Sequence, residues 1–318
     1  MRHARLRFAL RRGGALVASL ALLLTGTFLT THLVPGDPAR AGLSPQTPLS
    51  VIEARRQRLH LDEPFASQFA HFVGGVATGD LGVSFTSEQP VSEILSSRFP
   101  ATLRLAGLAF VVSLLIAVPL GMAVAVLTWG GRRRRLDDLF AVTTGGLVAV
   151  PDFLLATGLV ALFGVTLGWL PIAGADGASA YVLPVTALAA LPIAALARVA
   201  RVETLRVLDQ EYMRVARSKR LPPRLLYVRH ALPNILAAIL PIGGLLLSGL
   251  VAGTVIVENI FAWPGLGQAI VQAIIDKDYP LVQGTVLVLG AITLVANLVV
   301  DAVLIAVNPR SLLLEGRG

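Results

Sequence analysis

Six apolar runs, separated by charged or turn-rich stretches, organise this sequence. The first covers Ala15 to Leu33. The second fills the 27 uncharged residues between Arg104 and Arg132, about 40 Å of helix at 1.5 Å per residue, which exceeds the hydrocarbon core and leaves room to tilt. A third runs from about Leu139 to Leu167 and a fourth from about Tyr181 to Ala200. The fifth spans about Ile235 to Val257 and the sixth about Leu281 to Val307. Pro119, Pro151, Pro192 and Pro241 interrupt several of them, as neighbouring helices in a membrane allow. The long connection after the first run carries its own helical signals. Ser50 to Glu53 reads as a capping box. Pro64 opens a helix whose Phe65, Phe69, Phe72, Val73 and Val76 form one apolar stripe, and the GDLG turn, Gly79 to Gly82, ends it. The pattern predicts an all-α fold, a six-span transmembrane helical bundle with a small helical cap.

Composition agrees. Hydrophobic residues make up 55% of 318 positions and charged residues 14%, with a mean hydropathy of +0.74. A soluble domain of this length needs a larger charged surface. A net charge of +8 would suggest nucleic acid in a soluble protein. Here the basic residues sit in short loops beside apolar runs, where they report membrane orientation, and no nucleic-acid partner is expected. Five Arg precede the first run, Arg132 to Arg135 follow the second, and nine basic residues lie between Arg198 and Arg229 against Glu203, Asp209 and Glu211. The other connections lean acidic: residues 34–100 hold seven acids and five Arg, and residues 258–280 hold three acids and Lys277. The basic connections are therefore expected in the cytoplasm, with both termini. A cleaved signal peptide is not expected, because HLVPGDP follows the first run where a small-residue cleavage site would stand.

Catalytic chemistry is hard to find. His3, His32, His60, His71 and His230 are scattered, and none makes the His-x-x-x-His spacing that sets two imidazoles on one helical face. There is no cysteine and no Gly-x-Ser-x-Gly elbow. A phosphate-binding loop needs lysine after glycine, yet Lys219 and Lys277 follow Ser218 and Asp276. No bound cofactor or metal is expected of this chain, and ATP-driven transport would need an ATP site on another subunit. An ion-coupled secondary carrier would be expected to show internal repeats and paired intramembrane acids, and an intramembrane enzyme a base at membrane depth; the sequence displays neither.

Six stretches in chain order carry a resemblance: LVPGDPAR (Leu33 to Arg40), GDLG, RFPATLRLA (Arg98 to Ala106), EYMRVARSKRLPPR with RHALPN (Glu211 to Asn234), VIVENIFAWPGLGQAIVQAIIDKDYPLVQG (Val255 to Gly284), and NPR (Asn308 to Arg310). Together they resemble the first of the two permease types in the dipeptide, oligopeptide and nickel family of ABC importers. The resemblance implies partners: a second homologous permease, two ABC ATPase subunits that bind ATP and Mg, and an extracytoplasmic solute-binding protein, in a bacterial or archaeal inner membrane. Short peptides lead the expected substrates, with nickel or other peptide-like solutes as alternatives. It divides the chain into an arm and first helix (1–33), a periplasmic helical loop (34–100), a five-helix core (101–310) with a cytoplasmic coupling loop at about 201–233, and a tail (311–318).

In that family the loop before the fifth span docks on the ATPase. The resemblance places its docking residues at Glu211, Arg214, Val215, Ala216, Arg217, Lys219 and Arg220, with the accompanying Leu232 and Pro233. Ala216 is expected to let the helix approach the ATPase closely, while Arg214, Arg217 and Lys219 offer charge. Two positions depart from the pattern. Arg220 stands where glycine is usual, at the left-handed end of a helix, so either the turn is strained or Pro222 and Pro223 set it differently. Asp152 stands where serine is common, and counting from Asp137 places it about 22 Å up a helix, which makes it a translocation-path candidate, with an ion pair to a neighbouring subunit or a protonated core residue as the alternatives. Glu258 and Asn259 are further path candidates. Trp263 is expected as an interfacial anchor or gate residue, and Asp301 as a local partner of Arg310.

Overall fold

Small residues decide how closely these helices can stand. A computed structural model describes residues 2–33, 37–44 and 46–307. The expected NPR stretch, the Asp301–Arg310 partnership and the tail lie outside the described residues. In chain order the helices are α1 (Arg2–Leu33), α2 (Leu49–Arg58), α3 (Phe65–Thr78), α4 (Val91–Thr128), α5 (Arg134–Ala149) and α6 (Asp152–Leu159). They continue with α7 (Val182–Leu208), α8 (Glu211–Ser218), α9 (Leu232–Ile260), α10 (Leu266–Ile275) and α11 (Tyr279–Val307). Among the described residues α7 is the central column. Its Ala187, Ala189, Ala194, Ala197 and Ala200 are buried, and α4 packs along it with Ala109, Ala117 and Gly121. A β-carbon on Gly121 would stand 2.3 Å from the carbonyl oxygen of Ala197. Backbone-to-backbone approach of this kind is how helices associate where lipid removes the hydrophobic drive.

Five helices are long and apolar enough to cross a membrane unbroken: α1, α4, α7, α9 with the turns preceding it, and α11. The expected third span is not one helix. α5 and α6, with the wider-wound Val160–Thr166 that extends α6, meet at a 98° bend at Val150 and Pro151. Proline restricts the residue before it to extended backbone, and Val150 lies at φ −83°, ψ 121°. Pro119, Pro192 and Pro241 sit inside their helices without breaking them. The bent pair nevertheless crosses the bundle. Asp137 near the start of α5 pairs with Arg201 near the end of α7 at 2.5 Å. Beyond α6, the amide of Gly174 donates to the carbonyl of Phe261 past the end of α9, at the other end of the bundle. Taken as one span, the pair completes the six.

At the end opposite the basic loop, α2 and α3 form the expected cap. The α3 stripe closes on α1, with the ring of Phe28 5.1, 5.3 and 5.6 Å from those of Phe65, Phe69 and Phe72. Gly79 ends α3 in the left-handed conformation at φ 80°. The expected capping box is absent: α2 starts at Leu49 after Pro48, and no side chain caps it. Arg56 pairs with Asp37 at 2.5 Å, and the guanidinium of Arg55 lies 3.5 Å over the Phe85 ring. Ser84 donates to the buried Asp278 at 2.5 Å, which ties the cap to the turn between α10 and α11.

Gly121→Val should collapse the folded yield, because the new side chain meets α7 backbone that cannot yield. Gly107→Ala on the same helix meets nothing within 4 Å and should hold or raise stability by up to about 1 kcal/mol. The monodisperse fraction surviving heating in detergent distinguishes the two.

Candidate functional site in the basic loop and the buried glutamate

The loop after α7 folds as a short amphipathic helix between two anchors. Gln210 precedes α8, and Met213 and Ala216 point into the bundle core, 0% and 7% exposed, among Leu208, Leu226 and Ala231. Glu211, Tyr212, Arg214, Val215, Lys219 and Arg220 face outward. Ala216 therefore does not present itself to another protein. Its small size lets α8 lie close on this chain's own core, which corrects the expected role.

Arg217 is likewise turned inward. Its guanidinium donates to the carbonyl of Leu208 and stacks 4.2 Å over the Trp129 ring, while the indole N–H of Trp129 donates to Asp209 at 3.1 Å. Those contacts clamp α8 to the ends of α4 and α7. The outward charge of the α8 segment comes instead from Glu211, Arg214, Lys219 and Arg220.

Arg220 keeps the glycine backbone without being glycine, at φ 53°, with its amide bonded to Arg217 O at 2.9 Å. Holding a side chain in that region costs about 1 kcal/mol. Of the two expected outcomes, the strained turn is the one adopted. After Pro222 and Pro223 the chain winds as a wide π-helix over Leu225–Ala231 and enters α9 at Leu232. The wide winding ends where Pro233, lacking an N–H, can donate to no earlier carbonyl. Asn234 then donates to the hydroxyl of Tyr212 at 3.1 Å, so the Leu232–Pro233 corner and α8 touch.

At the other end of α9, Glu258 is fully buried and every contact is internal. It accepts from the Thr102 hydroxyl at 2.7 Å and from the Gly267 amide at 2.6 Å, with the Gln268 amide 3.4 Å away. Thr102 in turn accepts from the Leu266 amide at 2.8 Å. The carboxylate thus satisfies the free N–H groups that open α10, a position that favours negative charge. β-carbons at Gly265 and Gly267 would lie 2.3 and 2.8 Å from its oxygens, so the segment reads VENIFAWPGLGQ because only glycine leaves room. Asn259 donates to Val255 O and Gly267 O. Trp263 is wholly buried, its N–H on Ala101 O at 3.2 Å and its ring edge-on to Tyr181 at 4.6 Å. Glu258, Asn259 and Trp263 form a latch. The path role expected of Glu258 and the interfacial role expected of Trp263 are corrected by burial and by their hydrogen bonds, whereas Asn259 is exposed and keeps its place as a path candidate.

Asp152 is the other path candidate. It is the first residue of α6 rather than a mid-helix residue, since the 98° bend removes the continuous helix on which the 22 Å count rested. The side chain is half-buried and extends toward Gly253 of α9, where a β-carbon would come within 3.9 Å of it. The N-terminal end of α6 offsets its negative charge.

The fold resembles solved transporters. It superposes on a chain of the MetNI methionine ABC transporter in an inward-facing crystal form with a TM-score of 0.56 at 20% identity, over 68% of this chain and 96% of that one. That likeness shows the fold alone, a helical bundle shared with that chain. Two family models cover most of the sequence: the N-terminal part of the binding-protein-dependent transport system membrane component at residues 5–106, and the inner membrane component itself at residues 117–312. The chain belongs to this binding-protein-dependent transport system inner membrane component family. The glutathione transport system permease protein GsiC of Escherichia coli is 36% identical over 304 residues, 96% of this chain and 98% of its own length. The Salmonella typhimurium GsiC is 38% identical over 305 residues, again 96% and 98%. This chain is a multi-pass inner-membrane transport subunit of an ABC importer, and the ATPase is a separate subunit.

Glu258→Leu should lower stability by more than about 3 kcal/mol, since it strands several buried donors. Glu258→Gln, which keeps an acceptor, should cost less than half of that. Thermal unfolding followed by tryptophan fluorescence reads the order, because Trp263 sits in the latch.

Proposed function

We propose that this permease stands beside a second homologous permease, two ATPase subunits and a solute-binding protein, and imports short peptide-type solutes. The observation that carries the assembly is the α8 surface. A helix pinned from behind by Met213, Ala216 and Arg217 offers an outward face of Tyr212, Arg214, Val215 and Lys219, and a rigidly held face is what a partner needs in order to push. ATP and Mg belong to the partner ATPases. Support for the substrate class comes from the relatives, which are named for glutathione, a tripeptide, and align over nearly their whole length.

On this reading the basic-loop end faces the cytoplasm, with both termini, and the cap faces outside to receive the binding protein. The lean of Lys and Arg toward one set of loops supports that orientation. Asp152, half-exposed beside the Gly253 gap, faces the translocation path and attracts the amino terminus of a peptide.

Val215→Asp should leave the assembled importer intact in detergent and reduce stimulation of its ATPase by peptide-loaded binding protein at least about tenfold, a loss of about 1.4 kcal/mol of coupling. Ala216→Asp should instead destabilise the chain, because it buries a charge in its own core. Full coupling in the Val215 variant would remove the docking assignment.

Single cysteines at Thr86 and Ser179 should react with an impermeant thiol reagent on intact cells, and one at Ser218 only after permeabilisation. The native chain contains no cysteine to confuse the result. Reaction at Ser179 also reports whether the bent pair crosses.

Asp152→Asn and Asp152→Ser should assemble normally and cut uptake of cationic peptides by about fivefold relative to neutral ones, the equivalent of about 1 kcal/mol for a partly solvated charge pair. Equal uptake across a peptide charge series would return Asp152 to a structural role.

A further inference from the structure

The cap holds a cluster that neither the latch nor the basic loop uses. His60 and His71 are eleven positions apart in sequence, yet their rings lie 4.3 Å apart, and both turn Nδ1 to one carboxylate. His60 Nδ1 is 2.7 Å from Glu63 Oε1, and His71 Nδ1 is 3.1 Å from Glu63 Oε2. The hydroxyl of Ser67 donates to Oε2 at 2.5 Å. The spacing rule for one helical face misses this group, because His60 lies in the connection between α2 and α3 while His71 lies on α3.

We propose that His60, Glu63 and His71 form a binding site for a divalent transition-metal ion of the Zn(II) class, which staples the α2–α3 junction to α3. The three ligand atoms already lie within 4.8 Å of one another. Ligand bonds of about 2.0–2.2 Å put neighbouring atoms of a tetrahedral site about 3.4 Å apart, so only small rotations of exposed side chains are needed. Two imidazoles and one carboxylate with a fourth position for water make a donor set suited to borderline ions.

Further features favour an ion over a simple charge cluster. Both rings converge on one carboxylate, and an ion can accept lone pairs from two neutral imidazoles and that carboxylate together. Ser67 fixes the orientation of the carboxylate from behind, as outer hydrogen bonds do around metal ligands. His60 is held at φ 54°, at the left-handed position ending α2 where glycine is favoured, with the amide of the next residue, Leu61, bonded to Arg56 O at 3.1 Å. That conformation carries its own backbone cost, and it is what brings the His60 ring over α3. His60 and His71 border a cavity of about 260 Å³ between the cap and α11, which leaves room for the fourth ligand.

The test uses the full-length chain in its purified importer, carried on an affinity tag without histidine and stripped with a chelator. Titration with Co(II) should give one equivalent per chain with the visible absorption of a tetrahedral ion, and Zn(II) should displace it. Zn(II) should also raise the thermal midpoint of the wild type. His71→Ala, Glu63→Gln and His60→Asn, the last chosen because Asn accepts the left-handed backbone, should each weaken binding at least tenfold, while His230→Ala should not. Absence of stoichiometric binding in the wild type, or unchanged binding in both His71→Ala and His60→Asn, would overturn the site. Neither result bears on the docking role of α8, which is read from ATPase coupling.

Discussion

The contact on which this bundle depends is the meeting of α4 and α7 at Gly121 and Ala197, where one helix has no side chain and the other offers its backbone. Because these two helices touch at that distance, their ends are fixed relative to each other. At one end, Trp129 of the turn after α4 receives Arg217 and bonds Asp209, so α8 is seated by the α4–α7 pair. At the other, Thr102 and Ala101 of α4 receive Glu258 and Trp263, while Tyr181 before α7 closes on the Trp263 ring. The loop and the latch are both read from one rigid column.

α9 joins those two ends. It starts in the wide-wound turns beside α8 and finishes in the Glu258 latch, so any displacement of the loop reaches the opposite end through a single helix. Asp152 lies beside Gly253, in the last third of that helix and nearer its Glu258 end. A displacement of α9 would change the space available to the carboxylate.

Much of this was legible in the sequence, and the misses share one cause. Runs of apolar residues located the spans, because a bilayer imposes a minimum length on every one. The α3 stripe at Phe65, Phe69 and Phe72 was readable because helical period alone aligns it. Among four interrupting prolines, however, only Pro151 breaks its helix, and nothing in the flanking apolar residues marks it out. Packing decides that, as it decides which way Ala216 and Arg217 point. Glu258 and Trp263 looked like a charge and an aromatic near a membrane surface, and their burial depends on Thr102, over 150 positions away. His60 and His71 escaped notice because a left-handed residue ending one helix folds the first ring back over the next, a relation in space that periodicity does not encode. Arg220 was the better case, since a non-glycine residue at a helix end leaves only two backbone outcomes.

The break at Val150 and Pro151 constrains how this chain enters a bilayer in the first place. α5 has 16 residues, about 24 Å of helix, and α6 has eight followed by a seven-residue extension. Neither half reaches across about 30 Å of hydrocarbon alone. In the folded chain the pair is shielded by α7 and α9, so it takes its place in the membrane only together with helices that follow it in sequence.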